Sequence, residues 1–192
     1  MAFTGRSVGE AARALIDRTD HLLARTVTRA RLVFLIVPSS ERGHAVVPIA
    51  FRQAGEATTA PLQTRFGRMD LFLGQVCESR ASANGIHTFD VVSYKYTLTA
   101  AGEYEARLRW EYVRQPADPN ARWCRHHLQG AMPLRFANSR PVLLNDFHLP
   151  TGWVPIEEVL RFCIVDLGVR PLSPGWHETL MENRRLTSAA ER

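Results

Sequence analysis

At 192 residues, 45% hydrophobic and 22% charged, the sequence has the make-up of an ordinary globular domain that can bury a core without a disulfide or a structural metal. Three widely spaced cysteines, Cys77, Cys124 and Cys163, form no CxxC pair, which argues against a disulfide framework or a zinc ribbon and for a reducing, cytoplasmic compartment. The formal net charge of +5 rests on arginine, Lys95 being the single lysine, so a nucleic-acid partner is admissible, although GC-rich coding yields the same bias.

The longest apolar run, Leu32 to Val37, is too short to span a bilayer, and Ser7 to Arg29 is amphipathic and charged rather than a signal stretch. No membrane association is expected. Ser7-Val8-Gly9-Glu10 has capping-box spacing, and behind it Val8, Ala11, Ala12, Leu15, Thr19, Leu22, Leu23 and Val27 recur at helical intervals. The opposite face, with Arg13, Asp17, Arg18, His21, Arg25 and Arg29, reads as solvated. Leu32 to Pro38 reads as a strand. His44 to Phe51 reads as a second, placed at a sheet edge because Pro48 lacks a ladder donor. Gln53 to Gly67 reads as a surface loop joining an N-terminal arm, residues 1–67, to a meander with C-terminal helices, residues 68–188.

Strand character resumes over Met69 to Cys77 and Ile86 to Leu98, divided by Ser82-Ala83-Asn84-Gly85. From Glu103 to Val113 the alternation is strict: Tyr104, Ala106, Leu108, Trp110 and Tyr112 on one side, Glu103, Glu105, Arg107, Arg109 and Glu111 on the other. Matching this apolar face to Val92, Tyr94, Tyr96 and Leu98 requires partners of equal parity. A three-residue loop, Ala100-Ala101-Gly102, would set Tyr94 opposite Leu108, Tyr96 opposite Ala106, and Lys95 opposite Arg107. Trp123 to Gln129 and Val142 to Leu149 read as further strands, followed by a helix from Ile156 to Gly168 and a shorter one to about Arg185. The expected class is α+β: an antiparallel β-meander packed by a long N-terminal helix and two C-terminal helices.

Histidines concentrate in the meander. Alternation places His127 with Arg125 and Trp123, and His126 on the other face with Cys124 and Leu128; Asp146 and His148 share a face on the next strand. A carboxylate beside an imidazole fixes its tautomer and raises its basicity. Two imidazoles and an arginine suffice for metal-free phosphodiester cleavage, one ring taking the 2′-hydroxyl proton and the other protonating the leaving oxygen. His127, His148, Asp146 and His126 are therefore the candidate catalytic residues, and Arg109, Arg125, Lys95 and Arg107 the candidate phosphate ligands. The plainer reading of His126-His127 is one ring in the core and one at the surface. A mixed metal site from Cys124, His126, His148 and Cys77 or Cys163 lacks any tight ligand spacing, and no metal is expected. Tyr94, Tyr96, Trp110 and Tyr112 could form a base-stacking platform, but their shared face with Leu98 and Leu108 reads as core. No GxxxxGK[ST], GxGxxG or DFG-like set is present, and no cofactor is expected.

Tyr94-Lys95-Tyr96, a turn glycine, Arg109-Trp110-Glu111-Tyr112, His126-His127, Phe147-His148 with Pro150-Thr151-Gly152, and the amphipathic helix from Ile156 follow one another in this order. This stretch, Tyr94 to Gly168, resembles the toxin components of TumE-type toxin–antitoxin systems and related small bacterial domains. The resemblance implies a toxin-like domain acting on RNA in a prokaryotic stress or defence setting, with a cognate antitoxin. The chain departs in its long N-terminal arm and in a sparser histidine cluster. The expectation is a metal-independent endoribonuclease. The alternative is a non-enzymatic binding or assembly module that docks a partner protein through the N-terminal helix, and a metal-dependent hydrolase stands third.

Overall fold

The computed structural model describes residues 3–40, 43–116, 125–135 and 140–188. A two-residue strand β1 (Thr4–Gly5) leads into helix α1 (Val8–Thr26). Strands β2 (Leu32–Phe34), β3 (Val37–Pro38), β4 (His44–Gln53), β5 (Glu56–Ala57), β6 (Ala60–Thr64), β7 (Gly67–Ala81), β8 (His87–Ala100), β9 (Ala106–Val113) and β10 (His126–Gln129) follow. Then β11 (Pro133–Leu134) pairs with β12 (Val142–Leu143), a 3-10 turn spans Leu144–Asp146, and β13 (Leu149–Pro150), α2 (Ile156–Val165) and α3 (Trp176–Ser188) close the order. The main sheet runs β13-β10-β9-β8-β7-β4-β2 and is antiparallel in every pairing. The α+β class and the helix placement are as the sequence implies. Among the described residues no helix is long and apolar enough to cross a membrane.

Alternation builds the core. Val47, Ile49 and Phe51 of β4, Leu71, Leu73 and Cys77 of β7, and Tyr94, Tyr96 and Leu98 of β8 point to one face, where α1, α2 and α3 cover them with Ala11, Leu22, Leu23, Val159, Leu160 and Leu180. Each buried Leu or Val contributes about 1.5–3 kcal/mol of transfer free energy. Helix α1 starts where its cap permits: Ser7 Oγ accepts from Glu10 N–H at 3.2 Å, while Glu10 Oε2 accepts from Arg6 N–H at 2.8 Å. The carboxylate thus reaches one residue further back than a capping box would place it.

Four expectations are corrected. Residues 53–67 are not a plain loop: β6 pairs with β7 from Ala60–Leu71 to Thr64–Gly67 and buries Ala60 and Leu62. Strand β4 is not an edge strand, since β7 flanks it on one side and β2 and β3 on the other. Pro48 is accommodated because its partner strand is broken there. Pairing stops at Phe34–Ile49, restarts at Val37–Val46, and only the Pro48 carbonyl is used, accepting from Leu35 N–H at 3.1 Å. Val142 to Leu149 is not one strand, because the 3-10 turn interrupts it. Finally, β8 and β9 are joined by residues 101–105, so Tyr94 faces Tyr112, Tyr96 faces Trp110, and Lys95 faces Glu111. Parity is as derived; the register lies four residues further along. Gly102 has the left-handed backbone expected of it, φ 83°.

One buried carboxylate ties α1 to the sheet. Asp20, 5% exposed, accepts from Leu32 N–H at 2.9 Å, and its other oxygen lies 3.4 Å from the exposed Arg31 guanidinium. The exposed ion pair carries little, so the backbone bond dominates. Asp20→Ala should lower stability by about 1–3 kcal/mol by orphaning the Leu32 N–H, and Asp20→Asn, which keeps an acceptor, by less. Urea denaturation midpoints check this; an unchanged midpoint for the Ala variant would remove the tie from the account.

Candidate functional site

The register of β8, β9 and β10 lays out two rows of side chains. On the outer face, away from the helices, Lys95 stands opposite Glu111 and Glu111 opposite His127. One residue along, on the inner face, Tyr94, Tyr112 and His126 form the matching row.

In the outer row Glu111 Oε2 lies 3.3 Å from His127 Nε2 and 2.9 Å from Arg109 Nε, and Oε1 lies 3.6 Å from Lys95 Nζ. Arg109 also donates through Nη2 to Gln129 Oε1, its partner in register. His127 is 4% exposed and Gln129 5%, although both sit on the outer face. They are covered by the segment after β10: the 3-10 turn packs on β10, Leu144 is buried, and Leu144 N–H donates to Met132 O at 2.9 Å. The exposed His148 ring lies 5.1 Å from the His127 ring, centroid to centroid, at 57°. The structure therefore brings His127 and His148 together, with Glu111 beside His127 on the neighbouring strand β9. Leaving the two rings aside, Lys95 and Arg109 outweigh Glu111 by one formal positive charge, which favours an anion at the site.

Asp146 does not orient His148. Its Oδ2 accepts from Leu143 N–H at 3.0 Å and closes the 3-10 turn, as a short acidic side chain does when a local backbone donor competes for it. Arg107 sits at the bulge opposite Leu98 and Thr99, where it bonds Glu103 and the Ala131 carbonyl, the latter at 3.1 Å. Arg125 is exposed just before β10, and its carbonyl accepts from Val113 N–H at 3.2 Å. Trp123 and Cys124 lie outside the described residues.

His126 faces the helices. Its ring stacks on Tyr112, centroids 4.3 Å apart and 7° from parallel, and meets Trp153 edge-on at 5.8 Å. Burial, helped by the charges of Arg125 and His127, holds this imidazole below its ordinary range, and its buried Nδ1 has no hydrogen-bond partner among the described residues. Cys77 and Cys163 are core residues, their thiols pushed up to about 12 by burial. Among the described residues no group of three or more His, Cys, Asp and Glu side chains is arranged to hold a metal ion.

The sequence reading missed Glu111 and Gln129. Both lie on the face it had assigned to Arg109, but its register put an arginine opposite Lys95, and only the true loop length reveals the carboxylate between Lys95 and His127. No protein-family model, curated protein or solved structure matches the chain.

The depressed His126 has a consequence for stability. A ring that binds its proton less readily when folded favours the unfolded chain in acid. The stability present above the free-imidazole value of 6.5 declines as the pH falls through that value toward the lower folded one. His126→Phe keeps the stack on Tyr112 and removes the titration, so its melting temperature should fall less than that of the parent over this acid range. Parallel curves for the two proteins would show that His126 does not contribute.

Proposed function

We propose that this protein is a toxin-like, RNA-acting domain that cleaves phosphodiester bonds without a metal ion, as an endoribonuclease of a prokaryotic toxin–antitoxin or defence system. The observation that carries the reading is the His127–His148 ring pair, 5.1 Å apart, set over Glu111 beside Arg109 and Lys95. Internal cleavage of RNA needs one group to take the 2′-hydroxyl proton, one to give a proton to the departing 5′-oxygen, and positive charge for the phosphorane between them. His148, exposed at the surface, is the ring placed to meet the ribose. His127, its Nε2 fixed by Glu111, is the second proton carrier. Arg109 and Lys95 neutralise the developing charge, and exposed Arg125 extends the path for the phosphate backbone. In this reading Glu111 takes the orienting role first assigned to Asp146, and His126 has none. The resemblance to TumE-type toxins supports the substrate class and the cytoplasmic setting.

A second reading, a non-enzymatic protein-binding module, is favoured by one observation. The open β2–β3 edge exposes Val33, Leu35, Ile36 and Val37, an apolar border that most monomers avoid. The apolar face of α1 is occupied within the chain by the sheet, so this edge and not the helix is the surface such a module would offer.

Incubating the purified protein with total RNA in EDTA separates the readings. Cleavage is expected, with a bell-shaped pH profile. His148→Ala, at an exposed position, should slow it by about 10²–10⁴-fold, and Glu111→Gln should slow it by a smaller factor. RNA that stays intact, cleavage only with added metal, or full activity in folded His148→Ala would each sink the ribonuclease.

A further inference from the structure

The inner face holds a cavity of about 500 Å³ between the sheet and all three helices, well within the range of small-molecule sites. Tyr96 and Gln75 line it from β8 and β7, Tyr112 from β9, Trp153 from the segment before α2, Glu157 from α2, and Asn183 from α3. It lies across the sheet from His127 and His148 and is a separate site from theirs.

Polar groups are built into its wall. Glu157 is 3% exposed and Asn183 8%; Asn183 Nδ2 donates to Glu157 Oε1 at 2.6 Å, and Asn183 Oδ1 accepts from Arg18. Such a network is tolerated in the interior when its members are bonded, and it sets a carboxylate and an amide in the cavity wall. Opposite it, Gln75 Nε2 donates to the Tyr96 hydroxyl at 2.7 Å, with Tyr96 1% exposed. That is the single hydrogen bond these two side chains make among the described residues. The amide and the phenol hold three donor hydrogens between them, and the bond uses one. Whichever way the amide is turned, a donor remains for an acceptor in the cavity. Tyr112 adds a flat surface, one ring face stacked on His126, with Trp153 edge-on at 5.2 Å.

The charges select among ligands. Glu157 and Asp90 line the cavity together with Arg18 and Arg114, so the formal charge of the lining balances. A cation would meet the two guanidinium groups, and an anion the two carboxylates. A neutral, planar ligand with an acceptor edge and a donor edge meets neither penalty.

We propose that this cavity binds an amino-substituted planar heteroaromatic of nucleobase size, a purine nucleoside being its chemical class. The ring lies along Tyr112 and Trp153. A ring nitrogen or carbonyl accepts from the Tyr96–Gln75 pair, and an exocyclic amine donates to Glu157, the pairing that carboxylates make with amino-bearing bases.

Calorimetric titration of the full chain with adenosine and with guanosine tests this. Saturable one-to-one binding of at least one nucleoside is expected, together with a raised melting temperature. Tyr96→Phe, which keeps the ring and removes the hydroxyl, should weaken binding about tenfold, the equivalent of one hydrogen bond. Leu15→Trp, which fills the cavity from α1, should abolish it; if that variant does not fold, Gln75→Leu takes its place, with a loss of about tenfold or more expected. His148→Ala should bind as the parent does. The proposal is overturned if neither nucleoside binds saturably at millimolar concentration, if Tyr96→Phe binds as tightly as the parent, or if tetramethylammonium displaces the nucleoside.

Discussion

Glu111 stands in register between Lys95 and His127, one carboxylate shared across three strands, and the geometry of both sheet faces follows from that alignment. A slip of one residue in β9 would turn Glu111 toward the helices and Tyr112 toward solvent, exchanging the two rows at once. Several features hold the alignment. Residues 101–105 fix the length of the β8–β9 connection, and a bulge at Arg107 absorbs one residue of β9. Just after β10 the chain passes so close to β9 that a Cβ on Gly130 would sit 2.0 Å from the Arg107 carbonyl oxygen. Glycine is required there by space rather than by backbone angle, and it locks β10 against the bulge.

With the register fixed, the pleat divides the chemistry. The outer face gathers charge: Lys95, Arg109, Glu111 and His127, with Gln129 engaging Arg109. The inner face gathers rings: Tyr94 and Tyr96 stack at 4.7 Å, and Tyr112 and Trp153 continue the cluster toward α2, where Tyr94 Oη accepts from Val154 N–H at 3.0 Å. The helices add a polar link of their own. Arg18 on α1, Glu157 on α2 and Asn183 on α3 meet through Asn183, which donates to the carboxylate and accepts from the guanidinium. Burial pulls Arg18 below its ordinary range, while Glu157 and Glu182 draw it back up. Networks of this kind are stable only when every member is satisfied, so each helix constrains the other two.

The sequence carried parity but not register. Period-two alternation in residues 103–113 identifies the two faces of β9, and the core residues Tyr94, Tyr96 and Leu98 follow from it. Parity is blind to a shift of an even number of residues, and the displacement was four. The Asp146–His148 pairing failed for a different reason: a backbone N–H three residues away competes for a short carboxylate, and period counting cannot see that competition. Pro48 misled in the same way, because the missing donor is harmless wherever the neighbouring strand happens to be broken. Glu157 sits in the first turn of α2, where an acidic residue is explained by the helix dipole alone, and only the packing of α3 shows that it is buried and bonded.

The dipeptide His126-His127 concentrates this division in two adjacent residues. The pleat sends one ring into an aromatic stack and the other against a carboxylate, so two chemically identical groups acquire opposite characters. On the inner face burial, with the neighbouring charges of Arg125 and His127, makes His126 a weaker base than a free imidazole. On the outer face His127 meets Glu111, the carboxylate that Arg109 and Lys95 also engage. One dipeptide thus supplies a packing ring to the core and a polar ring to the outer face, a division that the pleat alone imposes.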